Sequence, residues 1–151
     1  MPQEKYKRID IATEQLCLAI ELFLSERSYI GALTLAGAAE EILGKAVKHK
    51  GKESALAEDF YITKYYEKCY KKIRSEVFDE PTFKNDFFGG VNGARNIAKH
   101  WDTPLESEVE IDFVKSAKDM IIRACRNCDL LNIKSTDEIL SFNHWFDEHE
   151  T

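Results

Sequence analysis

Apolar residues recur every three or four positions through the first fifty residues, and this spacing constrains the fold more than any other feature. It begins with a row between Lys5 and about Ser25, which comprises Ile9, Ala12, Leu16, Ala19, Ile20 and Phe23. Such a period is typical of a helix buried along one face. The turn at 26–28 is short enough to make the next helix antiparallel to the first. The pattern therefore predicts an all-α, up-down helical bundle.

The second predicted helix, at about 29–50, is rich in glycine and alanine. Glycine costs a helix about 0.5–1 kcal/mol, so its concentration indicates a close approach to a partner helix of the same chain or of a second copy. Glu40 falls on the apolar stripe, whereas Glu41 falls on a polar face, four residues before Lys45. A buried carboxylate needs a partner, and Arg95 is our candidate. Either Glu40 or Glu41 could be the carboxylate that supports a functional site.

A polar stretch at 51–58 predicts a loop. The next helix is predicted to begin near Tyr61 and to end at residues 79–81. Its inner face is expected to be Tyr66, Cys69, Tyr70, Ile73 and Val77. Its outer face carries Lys64, Lys68, Lys71, Lys72 and Arg74. Tyrosines at helical spacing are typical of a core, but tyrosines interleaved with lysines also suit base stacking and phosphate neutralisation.

Two long helices are expected near the C-terminus. One runs from Glu106 to Leu131 and buries Ile111, Val114, Ala117, Ile121, Ala124, Cys125 and Cys128. Ser135 and Glu138 form a capping box that opens the last helix, from Thr136 to about His149. The chain should thus form about five to six helices in a single domain over 1–151, since this length can bury one core.

Charge and hydropathy limit the classes of partner. The net charge of −6 argues against a broad polyanion-binding surface, so any contact with nucleic acid would be local. The most apolar run, 16–24, is far shorter than the about 20 residues of a membrane span, and the first ten residues are too polar for a signal peptide. We therefore expect a cytoplasmic protein that does not contact a membrane.

Cysteine and histidine spacing indicates neither a metal site nor a cofactor. The four cysteines are too scattered for a disulfide framework, and the C-x-x-C of Cys125 and Cys128 lies in a helical pattern without a second pair. His144 and His149 are five residues apart, not the four that align two ligands on one helix face. We expect reduced and mostly buried thiols, no metal and no cofactor.

A short helix is predicted at 92–101, between a Gly89-Gly90 break and a Thr103-Pro104 stop, with Asn92 as its cap. At about 100° per residue, its polar arc carries Arg95, Asn96, Lys99 and His100. Arginine presents a planar fork of donors to phosphate oxygens, and histidine exchanges protons near neutral pH. The arc suits a phosphate ester, although the solvent face of any amphipathic helix has a similar composition.

The run Arg95-Asn96-Ile97-Ala98-Lys99-His100 resembles the Arg-x4-His signature of the HEPN superfamily, small all-helical proteins that include many metal-independent ribonucleases. The segment at 32–44, ALTLAGAAEEILG, is similar to the second helix of that family. Together the two resemblances span most of the helical part of the chain, from about Ile9 to Leu131.

The resemblance implies an endoribonuclease in which the 2′-hydroxyl of RNA attacks the adjacent phosphate, leaving a 2′,3′-cyclic phosphate and a 5′-hydroxyl. His100 would transfer the proton, Arg95 would stabilise the charge that develops, and Asn96 would orient the reacting groups. Lys99 and Glu40 would support substrate binding. A homodimer would face two motifs across one cleft, and the activity would belong to a toxin-antitoxin pair or to a defence or stress response.

One position departs from the family. Members that a partner nucleotidyltransferase modifies carry a tyrosine two residues after the histidine, but this chain has Asp102 there. That form of control is therefore not expected, whereas a direct protein antitoxin remains open. Two alternatives also remain open: a catalytically inactive HEPN-like dimer that serves as a binding or adaptor module, and a thiol or metal protein that uses Cys125 and Cys128.

Overall fold

The computed structural model describes residues 1–100 and 108–150. Within these ranges the chain forms six helices and no strand, which confirms the predicted all-α helical bundle. The helices are α1 (Arg8–Leu24), α2 (Tyr29–His49), α3 (Ala55–Ile73), α4 (Glu80–Lys99), α5 (Phe113–Leu130) and α6 (Asp137–His149). Across the described ranges, none of them has the length and apolar character needed to cross a bilayer.

The core lies where α2 packs along both α1 and α5, with α6 against α1. The apolar row predicted for α1 is buried from Ala12 to Phe23, and Ile9 is partly buried. On α5 the predicted face is buried at Ala117, Ile121, Ala124, Cys125 and Cys128, whereas Val114 is exposed and Ile111 precedes the helix. Each fully buried large aliphatic side chain stabilises the fold by about 1.5–3 kcal/mol, so this four-helix contact supplies most of the driving force.

Helices α3 and α4 lie at the edge of this core. Of their residues only Ala55 is buried, at the start of α3. The two helices meet through aromatic rings, because Phe60 on α3 lies 5.4–5.7 Å, centroid to centroid, from Phe83, Phe87 and Phe88 on α4. The α3–α4 pair is thus held by a small aromatic cluster of its own.

The predicted inner face of α3 is wrong. Tyr66, Tyr70, Ile73 and Val77 are exposed, and Cys69 is half-buried. Phe60 marks the face that packs on α4, and the tyrosines point elsewhere. Apolar spacing identified an amphipathic helix correctly, but it does not tell whether the same chain covers the apolar side.

Several predicted boundaries are also wrong. Helix α3 begins at Ala55 and ends at Ile73, whereas 79–81 begin α4 instead of ending α3. The Asp79 carboxylate accepts the Thr82 N–H at 3.0 Å, and proline suits a first turn because its missing N–H would have no partner there.

Near the C-terminus, the structure shifts two helix starts. Helix α5 begins at Phe113, and residues 108–112 are not helical, while the predicted start at Glu106 lies outside the described residues. Thr136, rather than Ser135, caps α6, because its hydroxyl accepts the Ile139 N–H at 3.3 Å.

Candidate functional site

Helix α4 carries the arginine of the motif, and it runs through Gly89 and Gly90 without a break. The predicted break is therefore wrong, and Asn92 lies inside the helix instead of capping it. The two glycines together cost the helix about 2 kcal/mol, but the aromatic cluster on its N-terminal half holds α4 in place. Arg95 consequently lies one turn before the C-terminal end of a long helix.

The side chain of Arg95 points at α2, where a carboxylate lies between two guanidinium groups. Glu40 is 4% exposed, and its Oε2 is 4.0 Å from Arg95 Nη1. Its Oε1 is 3.9 Å from Nε of Arg123, which comes from α5 and is 6% exposed. The structure thus brings together the pair suggested by the sequence and adds a second arginine to it.

Gly37 makes room for this contact. A Cβ added there would lie 2.4 Å from Arg95 Cδ, far inside van der Waals contact. The glycine lets the arginine stem cross the surface of α2 and reach Glu40, which lies three residues further along the same helix. At this position the small residues of α2 accommodate a side chain of the same chain.

The Glu40 cluster is held by charge rather than by hydrogen bonds, because 3.9–4.0 Å exceeds hydrogen-bond distance. Burial raises the pKa of Glu40 above its usual value, although Arg123 and Arg95 oppose this shift. Burial likewise lowers the pKa of Arg123, against the attraction of Glu40. Among the described residues, the buried Nε atoms of Arg95 and Arg123 have no hydrogen-bond acceptor.

A cleft of about 260 Å³ opens beside the cluster, between α2, the start of α3 and α4. Its walls include Lys45, Lys48 and Arg95 together with Asn92, whose buried Oδ1 has no partner among the described residues. Glu41 also lines it and binds Lys45 at 2.8 Å, a contact that lowers the pKa of that glutamate. Cationic side chains therefore outnumber carboxylates around the cleft, three to two.

The other residues of the motif lie at the end of α4, outside the lining of this cleft. Asn96, Lys99 and His100 are exposed. The helix ends at Lys99, and His100 is extended at φ −123° and ψ 137°, so it does not share the helical arc that the sequence predicted. Lys99 lies close enough to the cleft to lower the pKa of Glu41 through its charge, as Arg95 also does.

Two predictions concern residues that follow His100, one made from helical spacing and one from the resemblance. Trp101, considered as part of the motif helix, and Asp102, which takes the place of the modified tyrosine, both lie outside the described residues.

Sequence reasoning missed Arg123 and Asn127 on α5, both of which are buried. Asn127 is 0% exposed, and its Oδ1 accepts the Ala55 N–H at 2.9 Å, which fixes the start of α3 on α5. The spacing of these residues in the sequence could have revealed them. Arg123 lies three residues after the buried Met120 and four residues before Asn127, so both residues follow the helical period of the buried face. Two polar residues within an apolar row indicate a partner inside the fold.

The cysteines of α5 give no support to thiol or metal chemistry. Burial raises the pKa of Cys125 to about 12 and that of Cys128 to about 11, which keeps both as uncharged thiols near neutral pH. Within residues 1–100 and 108–150, no group of three or more histidine, cysteine or acidic side chains could hold a metal ion.

Comparison of the chain with protein-family models, with curated proteins and with solved structures finds no match. Any function is therefore inferred from the side chains themselves.

Proposed function

We propose that this chain is a metal-independent endoribonuclease of the HEPN type that acts as a homodimer. The observation that carries the proposal is the position of Arg95, whose side chain is 16% exposed on the wall of a cleft that two lysines also line. A phosphodiester is the ligand that such a set of cations suits best, because arginine binds phosphate oxygens through paired donors.

The contact with Glu40 supports this role because it positions Arg95 without occupying its donors. At 4.0 Å the carboxylate fixes the direction of the guanidinium but forms no hydrogen bond with Nη1. The donors that Glu40 leaves unused can bind a non-bridging oxygen. Pre-oriented donors of this kind stabilise the charge of a pentacoordinate transition state better than water does.

The proposed reaction uses the RNA 2′-hydroxyl as its nucleophile. His100 takes the proton of that hydroxyl, the oxygen attacks the adjacent phosphorus, and the bond to the 5′-oxygen breaks. The leaving 5′-oxygen takes up a proton from water and the protonated His100 returns its proton to the solvent, which yields a 2′,3′-cyclic phosphate and a 5′-hydroxyl. Asn96 orients the reacting groups from the preceding turn, and Lys99 adds positive charge beside the cleft.

A second copy of the chain would bring together Arg95 and His100, which lie apart within one copy. His100 does not line the cleft to which Arg95 contributes, yet it is exposed at the end of the same helix. In a two-fold dimer with α4 near the axis, His100 of each copy would serve the cleft of the other. Such a nuclease suits a toxin or defence role, in which a protein antitoxin holds it inactive.

The same separation favours one other function, a catalytically inactive dimer that binds RNA or a protein. In that case Arg95, Glu40 and Arg123 form a structural cluster, and His100 is an ordinary surface residue. The two functions differ in whether a substitution at His100 changes any activity.

The test is incubation of purified protein with 5′-labelled RNA, with and without EDTA. We expect cleavage that EDTA does not affect, with products that end in a cyclic phosphate. A deoxynucleotide at the cleaved position should block the reaction, since it removes the nucleophile. His100→Ala should lower the rate by about 10²–10⁴-fold, the usual contribution of a positioned acid or base. Arg95→Lys, which keeps the charge but loses the fork, should lower it by at least about tenfold.

The matched controls are His144→Ala and Arg27→Ala, since both side chains are exposed and lie outside the cleft. Both should leave the rate unchanged, and circular dichroism should show that every variant is folded. Cleavage that EDTA abolishes, or equal activity in His100→Ala and His144→Ala, would refute the mechanism. A folded dimer with no cleavage of any RNA would favour the inactive binding module.

A further inference from the structure

Helix α3 carries a surface that the rest of the described chain does not cover. Its four tyrosines, Tyr61, Tyr65, Tyr66 and Tyr70, are 51–67% exposed, and we call them the tyrosine face. At about 200 Å² for a full aromatic side chain, they expose roughly 480 Å² together. At about 100° per residue these tyrosines span about half of the circumference of α3, and Ile62 and Ile73, which lie within this arc, are exposed as well.

Basic residues accompany the tyrosine face. Residues 61–74 contain five lysine or arginine side chains and one acidic residue, Glu67, in a chain where acidic residues outnumber basic ones 27 to 21. Lys64 pairs with Glu80 of α4, and Lys71 lies 4.0 Å from Glu67. Lys68 and Lys72 are exposed and form no ion pair within the described part of the chain, although the Lys68 ammonium lies 5.2 Å from the centroid of the Phe78 ring.

The tyrosines lie in two rows along the helix. Tyr61 and Tyr65 are four residues apart, as are Tyr66 and Tyr70, so the members of each row are about 6 Å apart along the axis. The rings of Tyr65 and Tyr66 meet edge to face at 5.7 Å, and the Arg74 guanidinium lies 4.5 Å from the centroid of Tyr70. Exposed rings beside unpaired cations can stack on bases while the cations neutralise phosphates.

We propose that the tyrosine face of α3, with Lys68 and Lys72, binds single-stranded nucleic acid. Charge favours this ligand over a second copy of the chain. Two copies that met through this face would bring Lys68 and Lys72 of both copies together, whereas Glu80 and Glu67 already lie beside Lys64 and Lys71. A polyanion that carries flat apolar bases matches both the charge and the aromatic surface.

The tyrosine face lies on the helix whose N-terminal end borders the proposed cleft. Ser54 and Leu56, which flank the first residue of α3, line the cleft beside Arg95, and the tyrosines follow on the same helix. A strand whose phosphate lies at Arg95 would have its neighbouring nucleotides along α3. This placement rests on the proposed ribonuclease function, whereas stacking on the tyrosine face requires neither Arg95 nor a 2′-hydroxyl.

Binding is tested with a fluorescein-labelled oligodeoxythymidylate of 12 nucleotides, which has no 2′-hydroxyl and cannot be cleaved by the proposed reaction. Fluorescence anisotropy at low salt should show saturable binding to the wild-type chain. Tyr66→Ala and Tyr70→Ala should each weaken it by about 5- to 150-fold, the effect of losing one stacked base. Tyr66→Phe, which keeps the ring, should bind like the wild type. Tyr6→Ala is the matched control, because Tyr6 is equally exposed in the N-terminal segment.

The cationic part is tested by salt dependence. Lys72→Ala should reduce the slope of log K against log salt by about 0.7, the value for one phosphate contact on a single strand, whereas Lys134→Ala should leave it unchanged. Equal affinity of Tyr66→Ala and Tyr6→Ala, or no binding by the wild type at low salt, overturns the proposal. Dissociation of a wild-type dimer by Tyr66→Ala without any effect on the oligonucleotide also overturns it, since the face would then join two copies.

This outcome is separable from that of the nuclease. Binding without RNA cleavage supports the tyrosine face and counts against catalysis. Cleavage that Tyr66→Ala and Tyr70→Ala leave unchanged, with unaltered binding, counts against the tyrosine face alone.

Discussion

Replacing Arg123 by methionine should destabilise the protein at neutral pH and much less in mild acid. The substitution nearly preserves the buried volume but leaves Glu40, 4% exposed, with Arg95 as its remaining cation at 4.0 Å. The pKa of Glu40, which burial already raises, should rise further, so the native state binds a proton more tightly than the unfolded chain. Stability therefore falls as the pH rises above the unfolded-state pKa of about 4.3.

The expected loss of unfolding free energy follows from the free energy needed to protonate Glu40. A glutamate with a pKa of about 4.3 costs about 3.7 kcal/mol to protonate at pH 7 and about 1 kcal/mol at pH 5. Part of this cost is already present in the wild type, because its Glu40 pKa is raised. We therefore expect a loss of about 2–3 kcal/mol at pH 7, close to the lower end of what breaking a buried ion pair costs. With a urea slope of about 2 kcal/mol per molar, the midpoint should fall by about 1–1.5 M.

The assay is urea unfolding followed by circular dichroism at pH 5, 6, 7 and 8. Arg126→Met is the matched control on the same helix, because Arg126 pairs with Glu58 and Asp59 in a half-exposed site and should lose no more than about 1 kcal/mol. Adding Glu40→Gln to Arg123→Met should restore most of the stability at pH 8. An equal loss at pH 5 and pH 8, or no rescue by the double substitution, would contradict the electrostatic account of this cluster.

Three further predictions concern single sites. Gly37→Ala should place its methyl against Arg95 and lower the free energy of unfolding by about 1 kcal/mol, whereas Gly93→Ala, with open space around its Cβ, should raise it by about 0.5–1 kcal/mol in the same urea titration. Asp79→Ala should cost about 1 kcal/mol by removing the cap of α4, measurable as a lower melting temperature. Cys125, whose pKa is about 12, should resist iodoacetamide at pH 8 in the folded protein and react after unfolding in urea, as mass spectrometry will show.

The sequence predicted α1 and α2 well because both bury a regular apolar row against neighbours in the same chain. It also indicated that Glu40 points inward and that Arg95 lies near it, since a carboxylate within an apolar stripe must find a cation. The second cation, Arg123, was missed because a basic residue on a long helix is usually solvated. Its identity depended on which helix packs beside α2, and local spacing does not determine that.

The α3–α4 region was predicted poorly for two physical reasons. Gly89 and Gly90 oppose a helix by only about 1 kcal/mol each, and the contacts of Phe60 outweigh that preference. The four-residue spacing of Tyr66 and Tyr70 correctly predicted an amphipathic helix. The same spacing occurs on buried and on exposed helix faces, so it does not tell which of the two this face is. The position of His100 was misjudged because the end of α4 falls one residue before it.

Helix α4 contacts the rest of the bundle through side chains, and none of its residues is fully buried. Helices α3 and α4 bury fewer side chains than the four-helix core, so we expect them to open locally at lower free energy and their amides to exchange hydrogen sooner. Arg95 belongs to this less buried pair of helices, whereas Glu40 and Arg123 belong to the core. If a nucleic-acid strand binds α3 and the cleft together, as we propose, it would oppose this local opening and fix the position of the Arg95 guanidinium. Binding along α3 would then be coupled to the orientation of Arg95.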